Sequence, residues 1–429
     1  MKRRTILKSI LAAGALGGFR LPLAQAADHR GKLFVFVQAD GGWDPTSFCD
    51  PKTNVAGEPA INQWASRDEV RQAGNIPYAP FANNAAFFEK YHRRMLVING
   101  VDAQTNSHTV GVVHNWSGRN SEGYPTATAL LAAHYAPRLS IPYLSFGGYS
   151  ETAGIARFTR LNNPELLRNI ATPEVASWNP AVRFFDDADW AAIQAAQAGT
   201  ADRLMLAPDL MPADIGHRQI YQSAFDGTAG LREYAATIPP KDQLEQPQRY
   251  SGANREYYSD LRRQAQLAVL AFKTGVAVSA DLWLGGFDTH AYHDQDQGWL
   301  LGNLTGAVDF LWDYAEIHGV ADRLVVVMGS DFGRTNRYNA KQGKDHWPIG
   351  SYVVMEMNQP WTDRVIGETD ALHFAQRINP SSLRRDDVDG TIIYPKHVHR
   401  ALRRYLGIEH TQAALKFPFH DTEDFAFFG

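Results

Sequence analysis

Five short stretches of the chain are apolar at every position or at every second one, and most of them stop abruptly at glycine or acidic residues. Residues 33–37 read Leu-Phe-Val-Phe-Val and end in Gln38-Ala39-Asp40-Gly41-Gly42. Residues 95–98 stop at Asn99-Gly100, and 324–328 stop at Gly329-Ser330-Asp331. Residues 276–284 set Val276, Val278, Ala280, Leu282 and Leu284 at alternate positions before Gly285-Gly286, and 352–355 form the fifth run. Continuous apolar runs of this length predict strands buried on both faces. Residues 255–273 instead space Tyr258, Leu261, Ala265, Ala268 and Phe272 three or four apart. Residues 300–315 do the same with Leu300, Leu304, Val308, Leu311 and Ala315. Both predict helices with one apolar face. Strands alternating with helices predict an α/β fold with a doubly wound, mostly parallel sheet. The segment 150–255 breaks this rhythm. It has an Ala-rich helical stretch at 188–198 and a polar run at 239–250, and it reads as a helical insertion within a single domain spanning 27–429.

The first 26 residues have a different pattern. Arg3-Arg4 is followed by Thr5-Ile6-Leu7-Lys8, a weakly apolar stretch at 10–18, and the small-x-small triplet Ala24-Gln25-Ala26. This closely resembles a twin-arginine signal peptide with its cleavage site. It predicts export by the twin-arginine machinery, placing the protein in the periplasm or outside the cell. The apolar stretch falls short of the roughly 20 residues a membrane span takes, and no later segment is expected to span. Five of the 42 basic residues lie in this segment, leaving 37 against 46 acidic ones and a net charge near −9. Such a balance argues against a nucleic-acid or anionic-membrane surface. Cys49 is the single cysteine, so the chain cannot form an internal disulfide. His397 and His399, in a basic stretch near the end, are expected to face solvent.

Ligands of open α/β sheets bind beyond the carboxyl ends of the strands. Here those ends lead to Asp40 and Asp44, to Thr105, Ser107 and His108, to Asp288 and His290, and to Asp331 and Arg334, with Asp345-His346 shortly before the next strand. Carboxylates and imidazoles delivered repeatedly to one edge form the pattern of a divalent-metal site. Asp288 and His290, two apart in an extended segment, project from one face, so a single ion can reach both. His293, Asp294 and Asp296 are expected to be solvated. Asp331 either caps a turn or points at a ligand. Arg334 either clamps an anionic oxygen or pairs with Asp331. A hydroxyl such as Ser107 becomes a nucleophile when a metal or base lowers its proton affinity.

Five blocks carry a family likeness in this order: Gly41-Gly42-Trp43-Asp44, Asn106-Ser107-His108, Gly285-Gly286-Phe287-Asp288-Thr289-His290, Ser330-Asp331-Phe332-Gly333-Arg334-Thr335 and Gly343-Lys344-Asp345-His346. Together they resemble the twin-arginine-exported bacterial family known as domain of unknown function 1501, placed in the alkaline phosphatase and sulfatase superfamily. The resemblance implies an alkaline phosphatase-like fold holding one or two divalent metal ions, and hydrolysis of a small anionic phosphate or sulfate ester. It assigns the first acidic position to Asp40 or Asp44 and the nucleophile to Ser107 or Thr105. Asp288, His290, Asp331 and His346 become further metal ligands. Phe332 stands where the superfamily usually has a histidine, which implies an altered second metal position. The alternative reading is an exported binding or assembly protein on a degenerate hydrolase scaffold.

Overall fold

The computed structural model describes residues 29–176, 179–206 and 211–429; the expected signal peptide lies outside the described residues. A central sheet of eight strands, numbered here in chain order, organises the molecule. They are β1 (Leu33–Asp40), β2 (Met95–Asp102), β3 (Tyr143–Ser145), β4 (Phe158–Arg160), β5 (Ser279–Gly285), β6 (Leu324–Ser330), β7 (Ile349–Met355) and β8 (Arg364–Ile366). Their order across the sheet is β8-β2-β7-β6-β1-β5-β3-β4. β7 runs antiparallel to both its neighbours, and the other strands share one direction.

The continuous apolar runs have the physical reason the sequence suggests. Along β1, Leu33, Val35, Val37 and Ala39 enter one apolar core while Phe34 and Phe36 enter another on the opposite face. Numbering the helices likewise, α1 (Asn84–Tyr91), α8 (Leu261–Lys273) and α9 (His293–Ile317) cover the first face. α3 (Ala127–Tyr135) and α10 (Pro395–Tyr405) cover the second, and α2 (His108–Ser117) adds Trp116 to that core. The sheet is therefore doubly wound, as expected. Within 150–255 lie α4 (Pro164–Ala171), α5 (Asp187–Leu206), α6 (Pro212–Asp226) and α7 (Thr228–Thr237). Among the described residues no helix is long and apolar enough to cross a membrane.

Three local expectations need correction. The helix predicted from 255 begins at Leu261. Glu256–Ser259 instead pairs antiparallel with Gln248–Ser251, burying Tyr257 and Ser259 while exposing Tyr258. The two-residue period of burial there overrides the helical spacing. His397 and His399 are fully buried rather than solvent-facing. His399 Nε2 reaches the Asn115 carbonyl at 2.8 Å and His397 Nε2 reaches Glu423 at 2.9 Å. Burial pushes their pKa values down to about 3 and about 4, respectively. His293 and Asp296, expected in solvent, are buried at the start of α9 because that helix inserts its first turn beneath the site.

Candidate metal centre

The topology explains why one edge collects the polar blocks. β1, β2, β5 and β6 all point their carboxyl ends at it. β7, running the other way, presents its amino end there. His346 precedes β7, so reversal of that one strand brings it to the same place. A two-residue ribbon, Gly333–Arg334 paired with His346–Trp347, fixes the approach. A side chain at Gly343 would collide with the His290 backbone, its Cβ lying 1.9 Å from the carbonyl carbon. Only glycine lets the two segments pass so closely.

Three imidazoles meet at one carboxylate oxygen. Nε2 of His290, His346 and His108 lie 3.0, 3.2 and 3.3 Å from Asp288 Oδ1. The other nitrogen of each ring is held from behind. His108 Nδ1 lies 2.5 Å from Asp331 Oδ2, His290 Nδ1 lies 2.7 Å from Asp345 Oδ1, and His346 Nδ1 lies 2.7 Å from the Asn106 carbonyl. Each of these partners accepts a hydrogen bond, which puts a proton on Nδ1 and turns Nε2 inward, where a bound cation would take the place of any proton it carries.

These residues fit a divalent ion. His290 and His346 bring their Nε2 atoms within 2.9 Å of each other, and with both rings neutral and protonated at Nδ1 neither atom can donate to the other. His108 Nε2 is buried without a hydrogen-bond partner among the described residues. Three converging nitrogens and a carboxylate oxygen form a mixed nitrogen and oxygen donor set of the kind zinc, manganese or iron takes. His108, Asp288 and His346 each offer a ligand atom within 4.8 Å of the others. Burial works to lower the His108 pKa, but the Asp288 and Asp331 carboxylates raise it to about 9. A carboxylate field strong enough to hold a proton so firmly also favours a cation in its place. For Asp288, burial works upward, yet His108 and Arg334 hold its carboxyl well below the usual range.

The remaining sequence candidates occupy distinct positions. Asp331 is fully buried and stands behind His108, also accepting from the Gly41 amide at 3.1 Å and Ser330 Oγ at 2.9 Å. Asp40 lies beside the cluster and accepts from the Trp283 indole at 3.1 Å. Burial, with the nearby charge of Asp331, raises its pKa. Asp44 stands apart from the imidazoles. Fully buried, it bonds Lys344 Nζ at 2.6 Å and His293 Nε2 at 2.9 Å, and Lys344 in turn bonds Asn62 at 2.9 Å. Arg334 is also fully buried, binding the carbonyls of Gly41, Gly42 and Lys344 and, at 2.9 Å, Asp288 Oδ1. Its partner is thus Asp288 rather than Asp331, and its donors face protein. Ser107 is exposed at the N-cap of α2 without a capping side-chain bond, while Thr105 Oγ1 accepts the Ser107 amide at 3.0 Å. His108 is the residue that the sequence reading left without a role. Its one signal was its place in the Asn106-Ser107-His108 block.

No curated protein matches the sequence. Similar solved structures include the lipoteichoic acid synthase LtaP from Listeria monocytogenes, 9% identical, covering 94% of this chain and 79% of that one with a TM-score of 0.37. The phosphonate monoester hydrolase of Agrobacterium radiobacter is 11% identical, covering 88% and 74% with a TM-score of 0.34. A TAB5 alkaline phosphatase mutant with bound Mg is 9% identical, covering 78% and 95% with a TM-score of 0.32. The family model described as protein of unknown function (DUF1501) matches residues 31–396, and the chain belongs to that family.

Proposed function

We propose that this protein is a metal-dependent hydrolase of phosphate or sulfate esters. The observation that carries the reading is the convergence of three Nδ1-anchored imidazoles on Asp288 Oδ1. His108, His290, His346 and Asp288 would hold one divalent ion. Phe332 argues for one ion rather than two, because its ring lies 4.7 Å from the His108 ring and 4.8 Å from the His346 ring, filling that flank with an apolar wall. When bound, such an ion lowers the proton affinity of a hydroxyl and neutralises charge on the transferred group.

Ser107 is the better nucleophile candidate. An N-cap serine ordinarily accepts from the first turn of its helix, yet this hydroxyl caps nothing and stays exposed next to His108. The positive end of α2 favours negative charge developing at its oxygen. Asp331, Asp345 and the Asn106 carbonyl keep the three imidazoles oriented, and Arg334 fixes the Asp288 carboxylate. Asp40 contributes a further carboxylate at the rim.

Metal-loaded protein is expected to release product from an aryl phosphate or an aryl sulfate, and Ser107→Ala to abolish turnover while keeping the metal. Full activity in that variant would remove Ser107 from the mechanism. Inert metal-loaded protein would instead favour a binding or assembly role. The export reading belongs to the same proposal: an Arg3→Lys, Arg4→Lys precursor should stay in the cytoplasmic fraction, and unchanged export would reject the twin-arginine route.

A further inference from the structure

The buried cations around the centre are all committed to protein acceptors. Lys344 is paired with Asp44, and Arg334 with Asp288 and three carbonyls. At the rim stand Asp40, Asp288 and Asp345, a concentration of carboxylates that would repel a phosphate or sulfate group. One arginine at the rim has donors to spare. Arg255 sits at the turn of the Gln248–Ser251/Glu256–Ser259 hairpin, closed by the Gly252 amide donating to the Arg255 carbonyl at 3.0 Å. Its Nη2 donates to the carbonyl of Gly286 and, at 3.3 Å, to that of Asp288. Its guanidinium carbon lies 4.6 Å over the ring of Tyr257, which is itself anchored by a 2.7 Å bond to Asp296. Arg255 is exposed, and its Nη2 bonds to two carbonyls and a hydrogen bond to the Tyr257 side chain use only part of the guanidinium's five donors.

We propose that Arg255 is the oxyanion-binding residue of the site, directing its remaining guanidinium donors at a non-bridging oxygen of a phosphate or sulfate group held beside Asp288. The inference rests on the ester-hydrolase reading and assigns its anion contact to the hairpin rather than to Arg334. A planar guanidinium seated on an aromatic ring is already oriented, so little side-chain freedom is lost when the anion binds. Tyr257 and the hairpin serve as its support.

The test is calorimetric titration of metal-loaded protein with inorganic phosphate and with inorganic sulfate. It compares wild type, Arg255→Ala, Arg255→Lys and, as a charge-matched control, Arg337→Ala at another exposed arginine. Expected are a loss of affinity of at least tenfold in Arg255→Ala, partial retention in Arg255→Lys and less than a twofold change in Arg337→Ala, with metal content equal throughout. Equal binding by wild type and Arg255→Ala overturns the inference, as does an equal loss in Arg337→Ala, which would mean diffuse surface charge. Wild-type protein that takes up metal but neither anion overturns the inference alone. Protein that takes up no metal removes the hydrolase reading and this assignment with it.

Discussion

Two polar clusters lie on either side of Arg334, and they solve opposite problems. In the cluster of Asp44, Lys344, His293, Thr46 and Asn62, every charge meets its complement inside the protein. Lys344 and Asp44 are fully buried, and Thr46 Oγ1 adds a 2.7 Å bond to the same carboxylate. In the cluster of Asp288, His108, His290 and His346, the outer nitrogens are satisfied but the inner ones face one another. Arg334 joins the two, bonding Asp288 on one side and the Lys344 carbonyl on the other. The difference teaches that acidic and basic residues near an active-site edge divide by whether the protein completes their bonding. The closed cluster stabilises and positions, and the incomplete one is where a ligand belongs.

The comparison predicts different consequences for the two sides. The largest effect is expected from His346→Ala, which removes a direct ligand. Metal content by elemental analysis should fall below a tenth of the wild-type value. Hydrolysis should drop by more than the roughly 10–100-fold that losing an outer partner costs. Melting of the metal-free proteins should differ little. Retained metal would break the assignment of the open cluster. Lys344→Met leaves the Asp44 carboxylate buried without its cation and should cost about 3–5 kcal/mol of stability, read by chemical denaturation. A loss under about 1 kcal/mol, below the usual range for a broken buried pair, would mean the closed cluster is not structural.

Asp331→Asn sharpens the boundary between them, because Asp331 reaches the centre only through His108. Metal affinity should weaken about 10–100-fold while the fold persists. An unchanged affinity would show that His108 needs no partner behind it. The smallest effect at neutral pH belongs to a residue outside both clusters. His399 is held neutral by burial, with a pKa near 3 against an ordinary 6.5. The native state then binds fewer protons than the unfolded one between those values. The His399 contribution is intact above pH 6.5 and declines by about 1.4 kcal/mol per pH unit as pH falls toward 3. His399→Gln should flatten the acid side of the stability profile by that slope, and an unchanged profile would contradict the buried neutral state.

Much of the sheet was legible because a strand covered on both faces has an unmistakable composition, as in β1 and β6. The short β3, β4 and β8 were not, since three residues carry no period. Asp288, His290, Asp331 and His346 were readable because each follows a strand end or sits in a compact motif. Their division of labour was not. Asp331 and Asp288 look alike in sequence, and only three dimensions show one behind His108 and the other in front of it. Asp44 resembled a ligand because its partners, His293 and Lys344, lie about 250 and 300 positions away. Arg334 could be read as an anion clamp or a partner of Asp331 because burial by the Gly41 and Gly42 carbonyls leaves no trace in local spacing. His108 was overlooked beside the hydroxyl that precedes it.

The central claim is that three inward-facing imidazole nitrogens and Asp288 make a cation site. The direct measurement is calorimetric titration of metal-stripped protein with zinc and with manganese, wild type beside His108→Ala. The account predicts one ion per chain in the wild type with proton release on binding, and loss of that event in the variant. Wild-type protein that binds neither ion, or a variant that binds as the wild type does, would contradict it.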